Sequence, residues 1–219
     1  MPPLLHFLYR QKCFDDFIAI AEDLIKRKIT SPKHLGIEGG SNGGLLVGAT
    51  FTQRPDLFNA VLCAVPLLDM LNYHTMLAGN SWISEYGNPD DPKMHDIIKK
   101  YSPYHNVEKG KEYPEVLFMT STHDDRVHPA HARKMVDKME SQGHKVYLYE
   151  NTEGGHGGAS NLKQNAYKGG LKYSYLEQKL MNKSKLSLAA SAPTLFAVKK
   201  GETPESVDAV KPSYSIIME

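Results

Sequence analysis

Four short apolar runs, HLGIE (34–38), AVLCAVP (60–66), PEVLFMTST (114–122) and VYLYE (146–150), alternate with segments of helical period, and this alternation narrows the fold most. Parallel strands need a crossover between them, so strands alternating with helices read as a parallel α/β sheet with helices on its faces. The first helix is expected over 14–28, where Phe14, Phe17, Ile18, Ala21, Leu24 and Ile25 recur on one face. GGLLVGATFTQ continues as helix until Pro55, and further helices are expected over 130–142 and 160–181. The longest connection, 67–113, is too long for a plain linker; it reads as a substrate-facing insertion with a short helix in LLDMLNYHTML (67–77). From about residue 183 the sequence is rich in Ser, Ala, Lys and Pro and poorly periodic, and 183–219 is read as an irregular tail.

Composition enters mainly by what it removes. With 26 basic and 25 acidic residues the formal charge is +1, which provides no global field for nucleic acid or a membrane surface, so neither is expected as a partner. The start MPPLLHFLYRQK is apolar and then basic, the reverse of a secretory signal, and no apolar run is long enough to span a bilayer. Cys13 and Cys63 lie in apolar surroundings without metal spacing and read as buried thiols in a reducing, cytoplasmic setting.

LGIEGGSNGG (35–44) places Ser41 among four glycines directly after an expected strand and before an expected helix. Gly39, Ser41 and Gly43 have the G-x-S-x-G spacing of a nucleophile turn in α/β-hydrolases, where strand and helix backbones nearly touch. The pentapeptide alone also fits a glycine-rich turn or an anion-holding helix N-terminus. A serine nucleophile needs a histidine base held by a carboxylate, in the order serine, acid, histidine. HDDRVHP, after the third run, offers Asp124 and Asp125, and NTEGGHGG, after the fourth, offers His156 between glycines. His128 and His131, three apart, lack a third ligand, and neither metal nor cofactor is expected. His123 reads as structural. Trp82 by itself reads as a core aromatic and Arg126 as a partner for Asp124 or Asp125.

Together EGGSNGGLL, NSWISEYG, HDDRVHPAHA and EGGHGG resemble the catalytic domain of the prolyl oligopeptidase family of serine peptidases, from about Phe14 to about Leu180. The resemblance implies an α/β-hydrolase fold, partial here: the later strands of a mostly parallel sheet over 1–182, with the family's β-propeller absent. It implies Ser41 as nucleophile, Asp124 as acid, His156 as base and the Asn42 N–H as oxyanion donor. The family's second donor is a tyrosine hydroxyl from an upstream segment. The resemblance also assigns Trp82, Tyr86 and Val127 to a pocket for proline and Arg126 to a substrate carbonyl. The implied reaction is hydrolysis of short peptides on the carboxyl side of proline; the competing expectations are a catalytically impaired remnant and an esterase-like hydrolase. Without upstream neighbours HLGIE becomes a bare apolar edge, for which a partner chain or self-association is expected.

Overall fold

The computed structural model describes residues 9–181 and the strand Tyr214–Ile217. Strands β1 (Gly36–Gly40), β2 (Ala60–Ala64), β3 (Val116–Ser121) and β4 (Val146–Asn151) form a parallel sheet in the order β1-β2-β3-β4. Side chains alternate across it. Ile37, Val61, Cys63, Val116, Phe118, Val146 and Leu148 face one way, against Val47 and Phe51 of helix α2 (Asn42–Gln53) and Met135, Val136 and Met139 of a later helix, Ala130–Ser141. Leu62, Leu117, Met119 and Tyr149 face the other way, against Leu171 and Tyr175 of the last helix, Leu162–Leu180. Burying an aromatic such as Phe51 or Phe118 in full contributes roughly 1.5–3 kcal/mol, so these two layers hold the sheet.

Several boundaries differ from the sequence expectation for identifiable reasons. Helix α1 (Arg10–Lys26) begins a turn earlier than the apolar pattern, because its first turn is polar and carries no periodic signal. It buries Phe14 and Ala21, and Cys13 faces outward, so the reading of both cysteines as buried holds only for Cys63. Strand β1 takes in Gly39 and Gly40, which pair with Cys63 and Ala64, while Pro32–His34 forms a single 3-10 turn. Among the described strands β1 is an edge. It is less apolar than HLGIE implied, since Ile37 is its one large apolar side chain and the exposed Glu38 pairs with Lys172 at 2.6 Å.

The helix expected within 67–77 does not form. Its apolar residues Leu67, Leu68, Met70 and Tyr73 are buried on backbone without an α-helix, which winds only into short 3-10 turns at Tyr73–Thr75 and Leu77–Trp82. Side chains replace the helical hydrogen bonds: the Leu68 and Asp69 N–H groups donate to His131 Nδ1 at 3.3 and 3.0 Å, and the Met70 N–H donates to Ser102 Oγ at 3.0 Å. The helices of this insertion come later, as α3 (Ile83–Tyr86), α4 (Pro92–Tyr101) and α5 (Pro103–Asn106). Of these, α3 and α4 build a separate apolar cluster with Phe14, Leu45, Ala49 and Val127, while Tyr104 of α5 packs against the sheet's core. Ala130–Ser141 is α6 and Leu162–Leu180 is α7. In the segment read as an irregular tail, residues 183–213 and 218–219 lie outside the described residues; the structure adds strand β5 (Tyr214–Ile217), antiparallel to β4, where no element was expected. No described helix is long and apolar enough to cross a membrane.

His131 makes this architecture sensitive to acid. Burial lowers its pKa from the ordinary 6.5 to about 4, because a charged ring would be held away from water, and the neutral ring accepts the two backbone N–H groups at Nδ1. The unfolded chain therefore takes up a proton between those values that the fold refuses. Stability is complete above pH 6.5 and falls as pH drops towards 4, by about 3 kcal/mol in all. Urea unfolding across this range is expected to show that slope in the wild type and a shallower one in His131→Gln; identical slopes would contradict the assignment.

Candidate active site

At the end of β1 the chain reverses into α2 within one residue. Ser41 holds φ 58° and ψ −118°, a left-handed conformation that costs a non-glycine residue about 1–3 kcal/mol and persists only where surroundings fix it. Here they do: the Ser41 N–H donates to the Ala64 carbonyl at 2.9 Å, and the Leu45 N–H closes onto the Ser41 carbonyl at 3.2 Å. The glycines have unequal roles. A Cβ on Gly39 would lie 2.1 Å from the Gly43 carbonyl oxygen, and one on Gly44 would lie 2.6 Å from Pro66 Cβ. A Cβ on Gly43 would meet nothing within 4 Å, so the strand-to-helix contact needs Gly39 and Gly44 to be bare, and Gly43 contributes through its carbonyl.

Asp124 stands three residues after β3 and His156 five after β4, at the same end of the parallel sheet as Ser41. The Asp124 side chain is fully buried. Its Oδ1 accepts the N–H groups of Arg126 and Val127, both at 2.9 Å, and His156 Nδ1 lies 2.8 Å from Oδ2. Asp125 is exposed, so geometry joins the first of the two aspartates to the histidine. A carboxylate only accepts, so His156 Nδ1 carries the proton and Nε2 is left as the basic nitrogen. The histidine loop is anchored from several sides. Asn151 Oδ1 accepts the Glu153 and Gly154 N–H groups at 2.8 Å each, Ser121 Oγ donates to the Gly154 carbonyl, and Lys168 Nζ donates to the Gly157 carbonyl. Among the described residues no hydrogen bond joins the Ser41 hydroxyl to His156; such bonds are commonly long before substrate arrives.

The remaining predicted residues gather on the insertion side. Trp82 is partly buried against the cluster that contains Tyr86 and Val127, which are themselves 3% and 2% exposed. Burial pushes the Tyr86 phenol up to about 12, keeping it a donor, and its hydroxyl donates to Asn42 Oδ1 at 3.0 Å. Arg126 is exposed. Its backbone N–H serves Asp124, while its guanidinium makes no hydrogen bond or ion pair among the described residues. His123 is exposed, and His131 has the backbone role given above. No group of three His, Cys, Asp or Glu side chains that could hold a metal occurs among the described residues.

Sequence reasoning missed several residues. Val65, at the end of β2, has φ 38°, a genuine outlier for a β-branched residue, and its N–H donates to the Met119 carbonyl at 2.6 Å. Nothing in the sequence signals it. Together with His156, Gly157 and Lys168 it lines a cavity of about 50 Å³, enough for water and too small for a peptide. Arg10 and Lys168 reach the site from helices whose local pattern carries no sign of it.

Residues 4–183 match the Prolyl oligopeptidase family. The chain is 57% identical over 173 residues to an uncharacterized peptidase of Sinorhizobium fredii, covering 79% of this chain and 24% of that protein. It is 45% identical over 163 residues to a prolyl endopeptidase of Dictyostelium discoideum, covering 71% and 21%. Among solved structures it resembles one from a study of two prolyl endopeptidases, with TM-score 0.77, 46% identity and coverage of 80% of this chain and 26% of that one. It also resembles a post-proline cleaving enzyme from Rickettsia typhi, with TM-score 0.76, 46% identity and coverage of 79% and 25%. The chain thus spans about a quarter of the length of these relatives. The match extends over most of the described sheet and its helices, and with this sequence identity it is more than a shared fold: the chain belongs to the prolyl oligopeptidase family.

Proposed function

We propose that this chain carries the acyl-transfer site of a serine-type peptidase that hydrolyses short peptides on the carboxyl side of proline. The observation that carries the reading is the Asp124–His156 contact at 2.8 Å, at the same end of the sheet as a strained serine turn. Ser41 attacks the scissile carbonyl and its proton passes to His156 Nε2, while buried Asp124 stabilises the imidazolium. The Asn42 N–H, in the first turn of α2 where helical N–H groups lack intrahelical partners, supports the oxyanion. His156 then protonates the leaving amine, and water repeats the sequence in reverse to release the acid. Nothing in this scheme requires a metal or a cofactor.

Proline specificity is assigned to Trp82, Tyr86 and Val127, whose shared apolar cluster suits a rigid pyrrolidine ring, and Arg126 has fixed donors to offer a substrate carbonyl. The prolyl endopeptidases among the relatives support this choice of substrate. The test compares a blocked Gly-Pro amide with a simple acyl ester in wild type and Trp82→Ala. The variant is expected to lose about tenfold in kcat/KM on the amide, the scale of one lost aromatic stacking contact, and to lose less on the ester. Equal losses on both would remove Trp82 from the specificity pocket, and a wild type that turns over only the ester would favour an esterase.

A further inference from the structure

Arg10, in the first turn of α1, reaches across to the turn that carries Ser41. Its Nη2 donates to Asn42 Oδ1 at 2.9 Å, its Nη1 reaches Glu85 Oε1 at 3.3 Å, and its guanidinium carbon lies 4.7 Å from the centre of the Tyr86 ring. The side chain is 14% exposed and its Nε is buried without a hydrogen-bond partner. A buried unpaired donor opposes folding, and this one is retained because the rest of the guanidinium is held at three points. The Tyr86 hydroxyl also donates to Asn42 Oδ1, at 3.0 Å. Two donors on one oxygen fix the orientation of the Asn42 amide, leaving its amino group for the exposed side.

We infer that Arg10 is a positioning residue that sets the proline preference of the pocket, by fastening the Tyr86 ring and the Asn42 amide to each other beside Ser41. The inference rests on the reading of this site as a post-proline peptidase. Asn42 follows the nucleophile directly, and Tyr86 shares its apolar cluster with Trp82 and Val127. The planar fork of an arginine can hold the amide oxygen and the Glu85 carboxylate at once while lying over the ring. A lysine ammonium keeps the charge but not that geometry. Releasing Arg10 therefore frees the Tyr86 wall to move relative to the nucleophile turn, which affects a rigid ring more than a small flexible side chain.

Trp82 is the chain's single tryptophan, so its fluorescence reads occupancy of the pocket whether or not turnover follows. The experiment titrates a blocked Gly-Pro amide and a blocked Gly-Ala amide into wild type, Arg10→Ala and Arg10→Lys, each shown to be folded by circular dichroism. Arg10→Ala is expected to reduce the ratio of the two affinities by about fivefold, the scale of one partly buried cation–π contact. Arg10→Lys is expected to recover less than half of that change. A loss shared equally by both amides, or an unchanged ratio, overturns the inference. So does full recovery in Arg10→Lys, which decides the matter if Arg10→Ala does not fold. A wild type without preference for the proline amide overturns the post-proline reading itself and this inference with it, a result visible before any variant is made.

Discussion

Asp124→Asn is expected to slow acylation of Ser41 by about 10⁴-fold while leaving the fold intact. The asparagine carbonyl can keep the two N–H groups of Arg126 and Val127 that now bind Oδ1. Its amino group then faces His156 Nδ1 where a carboxylate oxygen stood. That nitrogen must become the acceptor, the ring proton moves to Nε2, and the basic lone pair at Nε2 is gone. Rapid-mixing kinetics with an activated acyl ester measures the rate, and the nitrogen chemical shifts of His156 report the tautomer. A loss below tenfold, or an unchanged tautomer, would contradict the assigned role. Asp125→Asn provides the comparison, because Asp125 is exposed and is expected to change the rate little.

The second large effect concerns the insertion that carries Trp82 and Tyr86. Asp69 is fully buried; it accepts both Asn72 Nδ2 bonds, at 3.0 and 3.1 Å, pairs with Lys134 of α6 and lies 3.8 Å from His105 Nε2. Burial by itself would raise its pKa, but the bonds from Lys134 and Asn72 prevail and hold it below the ordinary carboxylate value. Asp69→Ala leaves Lys134 and Asn72 without their acceptor. Breaking a buried pair costs about 3–5 kcal/mol, and because Lys134 retains some contact with water the lower end, about 3 kcal/mol, is expected. For a chain of this size that corresponds to a fall in Tm of roughly 6–12 °C. Thermal unfolding followed by circular dichroism measures it. A change under 1 kcal/mol would mean that this carboxylate does not anchor the insertion.

The sequence made the four parallel strands legible because each is a short apolar run bounded by turn residues and separated from the next by helix-period segments. The stretch 67–77 misled because apolar spacing records burial, and a chain can bury Leu67, Leu68, Met70 and Tyr73 without a helix once His131 and Ser102 serve its N–H groups. Those partners lie more than 30 residues away, beyond any local pattern. Strand β5 was hidden for a related reason, since four residues become a strand only by pairing with β4. At the site, residue type and position after a strand pointed to Ser41 and His156. The residues alone left Asp124 and Asp125 open, and the family resemblance chose the one that the fold buries against His156. Arg10 could not have been found from sequence, because its contacts cross 32 and 75 positions to Asn42 and Glu85.

The most direct test of the proposed triad is intact mass after incubation of the native chain with a fluorophosphonate, beside Ser41→Ala and a heat-denatured sample. An activated serine is labelled once, and only while its base and acid are in place. A single adduct is expected on the native protein and none on either control. A folded, soluble chain that takes up no label, or one that is still labelled after Ser41→Ala, would contradict the proposed triad.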